Sequence, residues 1–278
     1  MKIKDLLTTE KKENKKLALE QVLNLSKPEL LLNKEKELTP KEYQKYKKIL
    51  KKLNKGLPIQ YITHKAYFYN KEYYVNKNTL IPRPETEYLV EETHNLIKKH
   101  LKTGEINILD IGTGSGVIAI TLKELNKNYN ITATDISKKT LKISKKNAKK
   151  HNQEINFVNT NLYQGINKKF DCIISNPPYI EENSKNIEKI VKENEPKLAL
   201  FGGTDGLDYY KQIIKNIKQI IKQNHIIAFE IGENQGNKLK QIIKQELPKD
   251  KIIIKQDYNN HDRYIYVISI KNQNWQTP

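Results

Sequence analysis

Short apolar runs alternate with helix-length segments over the last two thirds of the chain. Seven of these runs are rich in β-branched residues and predict strands at residues 106–111, 131–135, 155–159, 170–175, 225–231, 251–257 and 263–270. Continuous apolar runs of this length are typical of a mainly parallel sheet with helices on both faces. Residues 258–262, between the last two runs, are too few for a parallel crossover and predict an antiparallel hairpin. The pattern indicates an α/β fold, a doubly wound sheet whose last strand is antiparallel.

The first quarter of the chain has a helical pattern instead. Its clearest helix starts with Thr39 at the N-cap, Pro40 at the first helical position and Glu42 completing a capping box. The apolar stripe of that helix consists of Tyr43, Tyr46, Leu50 and Leu53. Residues 59–75, rich in tyrosine and interrupted at Asn70-Lys71, predict a β-hairpin. We therefore expect a small helical domain with a hairpin connector (1–75), a linker with one helix (76–105) and a larger domain (106–278). The small domain is either a docking surface or a cap over the larger one.

The net charge of +18 changes this picture less than its size suggests. Of the 50 basic residues only Arg83 and Arg263 are arginine, which leaves 50 − 2 = 48 lysines. Lysine lacks the bidentate fork with which arginine reads phosphate or guanine, so lysines spread over solvated helix faces explain the charge more simply than a nucleic-acid partner does. Residues 1–75 carry 18 Lys against 9 Asp plus Glu, so the small domain is the charge-dense part.

Several classes of protein are disfavoured by the composition. A single cysteine, Cys172, lies in an apolar run and is expected to be a buried structural thiol. No apolar run approaches the length of a membrane span, and the first residues are too charged for a signal peptide. The six histidines show no metal-ligand spacing, so no metal is expected. We expect a cytoplasmic protein without a membrane partner.

A glycine-rich turn follows the first predicted strand of the sheet. Gly112, Gly114 and Gly116 allow the backbone to approach a ligand, and the helix that follows offers free N–H groups. Asp135 ends the next strand, where a carboxylate can accept the hydrogen bonds of a ribose diol. A dinucleotide fingerprint would require glycine at Val117, so S-adenosylmethionine fits better than a nicotinamide or flavin cofactor. The alternative is a glycine turn with a helix-capping aspartate and no ligand.

The tetrapeptide Asn176-Pro177-Pro178-Tyr179 follows another predicted strand. Proline fixes its own φ and restricts the residue before it, so this strand exit is stiff. The Asn176 side-chain oxygen and the Pro177 carbonyl can accept both hydrogens of a planar NH2 group, and Tyr179 offers a flat face for stacking. These features favour methylation of an amide or nucleobase nitrogen. The alternative is an incidental loop exit.

The segment from Pro82 to Glu87 contains two prolines, Arg83 and two carboxylates just before a predicted helix. Ordinary helix-start chemistry explains it as well as a binding role does.

These residues occur together in a known family. The chain resembles the release factor glutamine methyltransferases over nearly its whole length. The resemblance lies in the motifs at residues 56–62, 80–87, 110–116, 176–179, 195–200, 202–207 and 230–236. The tetrapeptide is shared with DNA and RNA amino-methyltransferases, whereas the proline-arginine element and the leading helical domain are more specific.

The resemblance implies a class I, Rossmann-like methyltransferase fold and a defined reaction. A methyl group would pass from S-adenosylmethionine to the N5 amide nitrogen of the glutamine in the Gly-Gly-Gln motif of class 1 peptide chain release factors, supporting translation termination. The product would be S-adenosylhomocysteine, the helical domain would grip the factor, nucleic acid would not be required, and the enzyme would be a monomer.

The resemblance also assigns roles to individual residues. The catalytic and substrate-binding residues would be Asn176, Pro177, Pro178 and Tyr179, with Arg83 and Glu85 also binding substrate. The cofactor-binding residues would be Gly112, Thr113, Gly114, Ser115, Gly116, Asp135, Asn161, Leu162 and Asn176. The family usually has an aspartate followed by a bulky residue where this chain has Asn161-Leu162. Since asparagine still offers a carbonyl to the adenine amino group, we expect weaker cofactor binding and not its loss.

Two other functions remain open at this stage. The first is methylation of adenine N6 or guanine N2 in DNA or rRNA, which the positive charge motivates, although no recognition module is evident. The second is a non-catalytic protein of the same fold whose basic helical domain binds ribosomes or RNA, against which Asn176 and Asp135 stand.

Overall fold

A computed structural model describes residues 1–7, 12–101, 104–185 and 187–271. The chain forms two compact units, one of Met1–Lys65 with Glu188–Asn194 and the other of Ala66–Ile187 with Glu195–Pro278. The first division therefore falls ten residues earlier than the expected boundary at residue 75, since 75 − 65 = 10. A second segment, distant in sequence, also joins the first unit.

The first unit is a small helical bundle in its described residues. Its helices are α1 (Ile3–Leu6), α2 (Lys12–Leu23), α3 (Lys27–Leu32), α4 (Pro40–Leu53), α5 (Ile59–Thr63) and, from the distant segment, α9 (Lys189–Asn194). The capping box is present, because the Glu42 backbone N–H donates to Thr39 Oγ1 at 3.2 Å and the Glu42 carboxylate accepts from the Thr39 backbone at 2.8 Å. Tyr46, Ile49 and Leu53 of α4 are buried in the core of the unit.

The predicted hairpin over residues 59–75 is wrong in its first part. Ile59–Thr63 forms α5, which starts after Pro58 and ends at His64 in the left-handed conformation, with φ 60°. The hairpin is shorter, with β1 (Lys65–Phe68) and β2 (Lys71–Tyr74), and its turn residues are Tyr69 and Asn70. Short apolar runs do not by themselves distinguish one helical turn from a strand.

The second unit contains a seven-stranded sheet in the part of the chain that the structure describes. Its strands are β3 (Ile106–Ile111), β4 (Tyr129–Asp135), β5 (Asn156–Asn159), β6 (Phe170–Ser175), β7 (Ile221–Glu230), β8 (Lys251–Gln256) and β9 (Asp262–Ser269). The strand order is β5-β4-β3-β6-β7-β9-β8. All neighbours from β5 to β7 are parallel, and β9 is antiparallel to both β7 and β8. The predicted sheet with an antiparallel last strand is confirmed.

Helices cover both faces of this sheet. They are α6 (Glu85–His100), α7 (Val117–Leu125), α8 (Lys138–Lys150), α10 (Asp208–Ile214) and α11 (Gly236–Glu246). One buried cluster joins α6 and α7 to the sheet, and a second joins α10 and α11 to it. Cys172 is fully buried, and burial raises the pKa of its thiol well above the ordinary value, as expected of a structural cysteine. None of the described helices is long and apolar enough to span a membrane.

An asparagine of α8 is among the residues that join the hairpin to the rest of the second unit. The Tyr74 backbone N–H donates to Asn147 Oδ1 at 2.8 Å, and Asn147 Nδ2 donates to the carbonyls of Tyr74 (3.0 Å) and Ser115 (2.8 Å). Asn147 thus links the hairpin to the glycine-rich turn. The Tyr69 N–H, which donates to Glu87 Oε1 at 2.8 Å, and the buried side chains of Phe68 and Tyr73 also hold the hairpin in this unit.

Candidate active site

The sequence motifs of the larger domain meet at the carboxyl ends of the parallel strands. Strands β5, β4, β3 and β6 are adjacent and parallel, so their carboxyl ends lie at the same end of the sheet. Each predicted site segment of the larger domain lies at one of these ends or directly after it. The Thr134 carbonyl accepts from the backbone N–H groups of Gly112 and Thr113 at 2.9 and 2.8 Å. Ser175 Oγ donates to the Ile111 carbonyl at 2.7 Å. These bonds hold the ends of β4, β3 and β6 together.

The glycine-rich turn is built from left-handed backbone. Gly112, Gly114 and Gly116 have φ values of 73°, 57° and 87°, a region that L side chains rarely adopt. A Cβ at Gly116 would lie 3.0 Å from Ser144 Cβ, so glycine is also required there for α7 to approach α8. A Cβ at Gly112 would meet no atom within 4 Å, so the space beside it is open. The turn therefore offers backbone to a ligand on one side and packs tightly on the other.

Asp135 is fixed by two backbone donors. Its Oδ2 accepts from the Gly114 N–H at 3.2 Å, and its Oδ1 accepts from the Ser137 N–H at 2.8 Å. Each oxygen keeps a lone pair for a further donor, as binding of a ribose diol requires. Burial raises the pKa of this carboxyl, and the two backbone bonds oppose the shift. The next residue, Ile136, is an apolar side chain with 60% of its surface exposed, which the sequence analysis did not single out.

Asn161 and Leu162 follow β5 at the same end of the sheet. The Thr160 N–H donates to the Asp135 carbonyl at 3.2 Å, which brings this segment beside the end of β4. Leu162 has a φ of 52°, and its side chain contacts the buried cluster under α10 and α11. Open space at the glycine turn, a carboxylate with free lone pairs and this third segment together fit a nucleoside-bearing cofactor.

The Asn176 amide is held through its nitrogen. Asn176 Nδ2 donates to Thr86 Oγ1 at 3.1 Å, and Thr86 Oγ1 in turn donates to Glu230 Oε2 at 2.6 Å. Among the described residues, Asn176 Oδ1 makes no protein hydrogen bond that competes with a ligand. The amide oxygen is therefore the part of Asn176 that remains for a donor.

Glu230 lies under the tetrapeptide at the end of β7. It is 1% exposed, its backbone carbonyl accepts from Tyr210 Oη at 2.6 Å, and Tyr179 Oη lies 3.4 Å from its Oε1. Burial raises the pKa of Glu230 to about 7, opposed by the Thr86 hydrogen bond and by the charge of Arg263. A carboxyl with this pKa changes charge near neutral pH.

Tyr179 is only partly exposed. Its ring contacts the buried cluster under α10 and α11, and burial raises the pKa of its phenol well above the ordinary value. Its carbonyl accepts from Gln235 Nε2 at 2.9 Å, and a Cβ at Gly206 would lie 2.3 Å from the same oxygen. The backbone of the tetrapeptide is thus fixed from two sides.

Arg83 and Glu85 do not share one partner. The Arg83 guanidinium pairs with Glu195, whose other oxygen accepts from the Ile81 N–H at 3.0 Å. The Glu85 carbonyl accepts from Tyr264 Oη at 2.9 Å, and its carboxylate contributes to the raised pKa of Glu230. The contacts of Arg83 stabilise the linker before α6, as the helix-start interpretation predicts. A substrate-binding role for Arg83 and Glu85 stays a prediction.

Three residues of the site were not assigned by the sequence analysis: Thr86, Asn147 and Glu230. Thr86 and Glu230 lie in the motifs at residues 80–87 and 230–236. Glu230 ends an apolar strand, and this position could have indicated that it lies at the carboxyl end of the sheet. Asn147 lies in a lysine-rich helix and gave no signal. In the described ranges, no group of three or more His, Cys, Asp or Glu side chains could hold a metal ion.

The fold and the site together define a class I methyltransferase. The family description "Methyltransferase small domain" matches residues 88–203, and "PrmC N-terminal domain" matches residues 8–63. A methyltransferase structure from Pyrococcus furiosus shares the fold, with a TM-score of 0.52 and 18% identity over 73% of this chain and 91% of that one.

Sequence relatives narrow the class to one family. The release factor glutamine methyltransferase of Bacillus cereus is 37% identical over 249 residues, covering 88% of each chain. That of Staphylococcus aureus is 39% identical over 227 residues, covering 80% of this chain and 79% of that protein. The chain belongs to the release factor glutamine methyltransferase family.

Proposed function

We propose that this protein transfers a methyl group from S-adenosylmethionine to the N5 amide nitrogen of the glutamine in the Gly-Gly-Gln motif of class 1 peptide chain release factors. The observation that carries the proposal is the Asn176 amide, held through its nitrogen so that its oxygen can accept a hydrogen bond. The Bacillus cereus relative, which is named for this activity and is matched over 88% of its length, supports the proposal.

A glutamine amide is a poor nucleophile because its nitrogen lone pair is delocalised into the carbonyl. Asn176 Oδ1 and the Pro177 carbonyl would accept its two N–H hydrogens and align the nitrogen for in-line attack. When bound, S-adenosylmethionine would supply an activated methyl group on a sulfonium sulfur, a leaving group that would depart with the electron pair as a neutral thioether. The amide nitrogen would gain the new N–C bond and release one proton to solvent water, and the acceptors at Asn176 and Pro177 would stabilise the positive charge that develops before that release.

The cofactor would be held at the carboxyl ends of strands β3, β4 and β5. Residues 112–116 would face its methionine part, Asp135 the ribose diol, and Asn161 with Leu162 the adenine. This assignment predicts that Asp135→Ala weakens S-adenosylmethionine binding by roughly 10- to 100-fold, because hydrogen bonds to a charged group are lost. Titration calorimetry measures the dissociation constant.

Asp171→Ala is the matched control for that variant. The Asp171 carboxylate accepts from the Asn107 N–H at 2.8 Å and from Lys222 Nζ at 2.7 Å, so it also loses two bonds, but it lies at the amino end of β6. Equal weakening by both variants would contradict the assignment of Asp135. Asn161→Ala tests the adenine contact in the same way, and an unchanged dissociation constant would remove Asn161 from the site.

The substrate would be a class 1 release factor. The enzyme would act on it as a monomer. Asn176 to Tyr179 would hold the glutamine, Arg83 and Glu85 would contribute to substrate binding, and the helical residues 1–65 would dock the factor. The lysine surplus in the first 75 residues supplies charge for docking onto an acidic surface.

The decisive experiment follows labelled methyl from S-adenosylmethionine to a purified, unmethylated release factor. The same factor with its Gly-Gly-Gln glutamine changed to alanine, and bulk rRNA and DNA, serve as parallel acceptors. Label on the intact factor alone is expected. Label on nucleic acid with none on the factor would instead assign the enzyme to base methylation.

A further inference from the structure

We propose that Thr86 and Glu230 are positioning residues that determine which end of the Asn176 amide faces the substrate glutamine. The proposal rests on the proposed function and adds two residues to it. Both side chains are buried, Thr86 with 3% and Glu230 with 1% of its surface exposed, and they lie on different elements, α6 and β7.

The direction of the hydrogen bonds follows from the number of hydrogens. Thr86 has one hydroxyl hydrogen, and its 2.6 Å bond to Glu230 Oε2 uses it because a carboxylate can only accept. Thr86 Oγ1 then has only lone pairs to offer Asn176, 3.1 Å away, so its partner must be the NH2 end of the amide. The chain of bonds runs one way, from Asn176 through Thr86 to Glu230.

While Glu230 is ionised, the opposite orientation of Asn176 is excluded by the same count. With the amide turned over, Asn176 Oδ1 would face Thr86 Oγ1 with no hydrogen between them, and the Asn176 NH2 would face the NH2 of the glutamine. Two acceptors would meet on one side and two donors on the other. Only the orientation that Thr86 enforces adds the Asn176 oxygen to the Pro177 carbonyl as an acceptor for the reacting nitrogen.

The enforcement depends on the charge of Glu230. Protonated Glu230 could donate to Thr86, whose own hydrogen would then be free to turn toward Asn176 Oδ1, and the amide would no longer have a preferred orientation. The groups that face Glu230 are Thr86, Tyr179, Arg263 and Glu85, with Tyr210 on its backbone carbonyl and the phenols of Tyr264 and Tyr266 nearby. Burial and Glu85 raise the pKa of Glu230, and Arg263 opposes them, with the result near 7. Deprotonation of Glu230 would therefore favour the active orientation.

A pair of threonine variants in α6 tests the hydrogen-bond chain. Thr86→Val removes the central hydroxyl, and Thr93→Val is the control, since Thr93 is also fully buried but donates only to the Leu89 carbonyl of its own helix, at 2.6 Å. We expect Thr86→Val to lower kcat for release factor methylation by about 10- to 100-fold, the usual cost of misplacing a reacting group. The S-adenosylmethionine dissociation constant should stay within about twofold, Thr86→Ser should restore most of kcat, and Thr93→Val should retain it.

The pH profile separates positioning from simple structural support. In the wild-type enzyme, kcat should fall as the pH drops through about 7. Glu230→Gln cannot titrate but still offers Thr86 an acceptor, so its profile should lose that acidic limb. A Thr86→Val enzyme as active as Thr93→Val, or an acidic limb that survives in Glu230→Gln, would overturn the proposal.

A readout without substrate keeps this inference distinct from the proposed function. In nitrogen-15 NMR spectra of the wild-type protein, the Asn176 side-chain NH2 signals should titrate near pH 7; they should stop doing so in Glu230→Gln and shift in Thr86→Val but not in Thr93→Val. Absence of this titration would contradict the positioning role of Thr86 and Glu230 even if the release factor is methylated. Titration without any methylation of the factor would leave the hydrogen-bond chain standing and reject the substrate assignment.

Discussion

At the scale of single residues, the site depends on glycines whose neighbours leave no room. Gly206 has a φ of 69°, and a Cβ there would lie 2.3 Å from the Tyr179 carbonyl oxygen and 2.4 Å from Gln235 Nε2. Those two atoms form the hydrogen bond that fixes the end of the tetrapeptide. A methyl group at Gly206 would therefore act on the tetrapeptide and not only on local backbone strain.

We predict that Gly206→Ala lowers kcat at least about 10-fold, because Tyr179 and the prolines before it must move. Gly165→Ala is the control: Gly165 has a similar φ of 74°, but its Cβ would meet nothing within 4 Å. Backbone strain should cost both variants roughly 1–2 kcal/mol of unfolding free energy, and the clash with Tyr179 should add to the loss in Gly206→Ala. Steady-state kinetics and denaturant titration would check this, and equal kcat values for the two would contradict it.

A second prediction at this scale concerns Asp110, a fully buried carboxyl at the end of β3. Thr113 Oγ1 donates to its Oδ2 at 2.6 Å, its Oδ1 has no partner among the described residues, and burial raises its pKa to about 7. Because the folded state holds this proton more tightly than the unfolded chain, the unfolding free energy falls as the pH rises from about 4 to about 7.

Asp110→Asn should remove that dependence. Relative to the wild type, the variant should gain stability steadily between about pH 4 and pH 7, by on the order of a few kcal/mol, and gain nothing further above that range. Glu230 titrates in the same window but is present in both proteins, so the difference isolates Asp110. Denaturant titrations at several pH values measure it, and parallel curves for the two proteins would show that Asp110 does not carry the proton.

At the scale of elements, α4 begins with a complete capping box. The Thr39 hydroxyl accepts from the Glu42 N–H, and the Glu42 carboxylate accepts from the Thr39 backbone and hydroxyl. We predict that Thr39→Ala lowers the stability of the first unit by about 1 kcal/mol. Lys41→Ala, at an exposed position in the same first turn, is the control and should change it by less than about 0.5 kcal/mol.

Hydrogen exchange of the α4 amides reads out this cap locally. Faster exchange in Thr39→Ala but not in Lys41→Ala is expected, since the cap satisfies N–H groups that are otherwise free. Identical exchange in the two variants would mean that tertiary contacts of Tyr46, Ile49 and Leu53 alone hold the helix.

The elements that the sequence predicted well share a physical reason. The α4 start was predictable because its caps are local chemistry, and the sheet because its central parallel strands, β3 and β6, are buried on both faces. The run from residue 59 to 63 was not, because five apolar and polar residues after a proline fit one helical turn or one strand equally. In the site, segments at strand ends could be placed together from topology, whereas the bond from Thr86 to Glu230 joins residues 144 positions apart and only the fold reveals it.

At the scale of the whole molecule, the open question is the lysine surplus. Lys45 and Lys48 are exposed on α4, in the charge-dense first unit, and Lys238 and Lys240 are exposed on α11 of the second. If the first unit docks the release factor electrostatically, Lys45→Glu with Lys48→Glu should raise KM for the factor several-fold and leave kcat unchanged.

The control is the equal charge change on α11, Lys238→Glu with Lys240→Glu, which should leave KM within about twofold. Both double variants change the net charge by the same amount, so a general effect of charge would appear in both. Equal KM values for the two would favour a lysine content set by composition, without a docking role.

The first unit is not continuous in sequence, and this has a consequence for how the protein is made. Asn194 Nδ2 donates to the Gly56 carbonyl at 3.0 Å, and residues 188–194 count among the first unit's members. A ribosome translating this chain therefore finishes strands β3 to β6 before it supplies the last helix of the bundle it began with. The sheet can start to assemble while the helical bundle is still incomplete, so the last-made part of that bundle arrives only after strands β3 to β6.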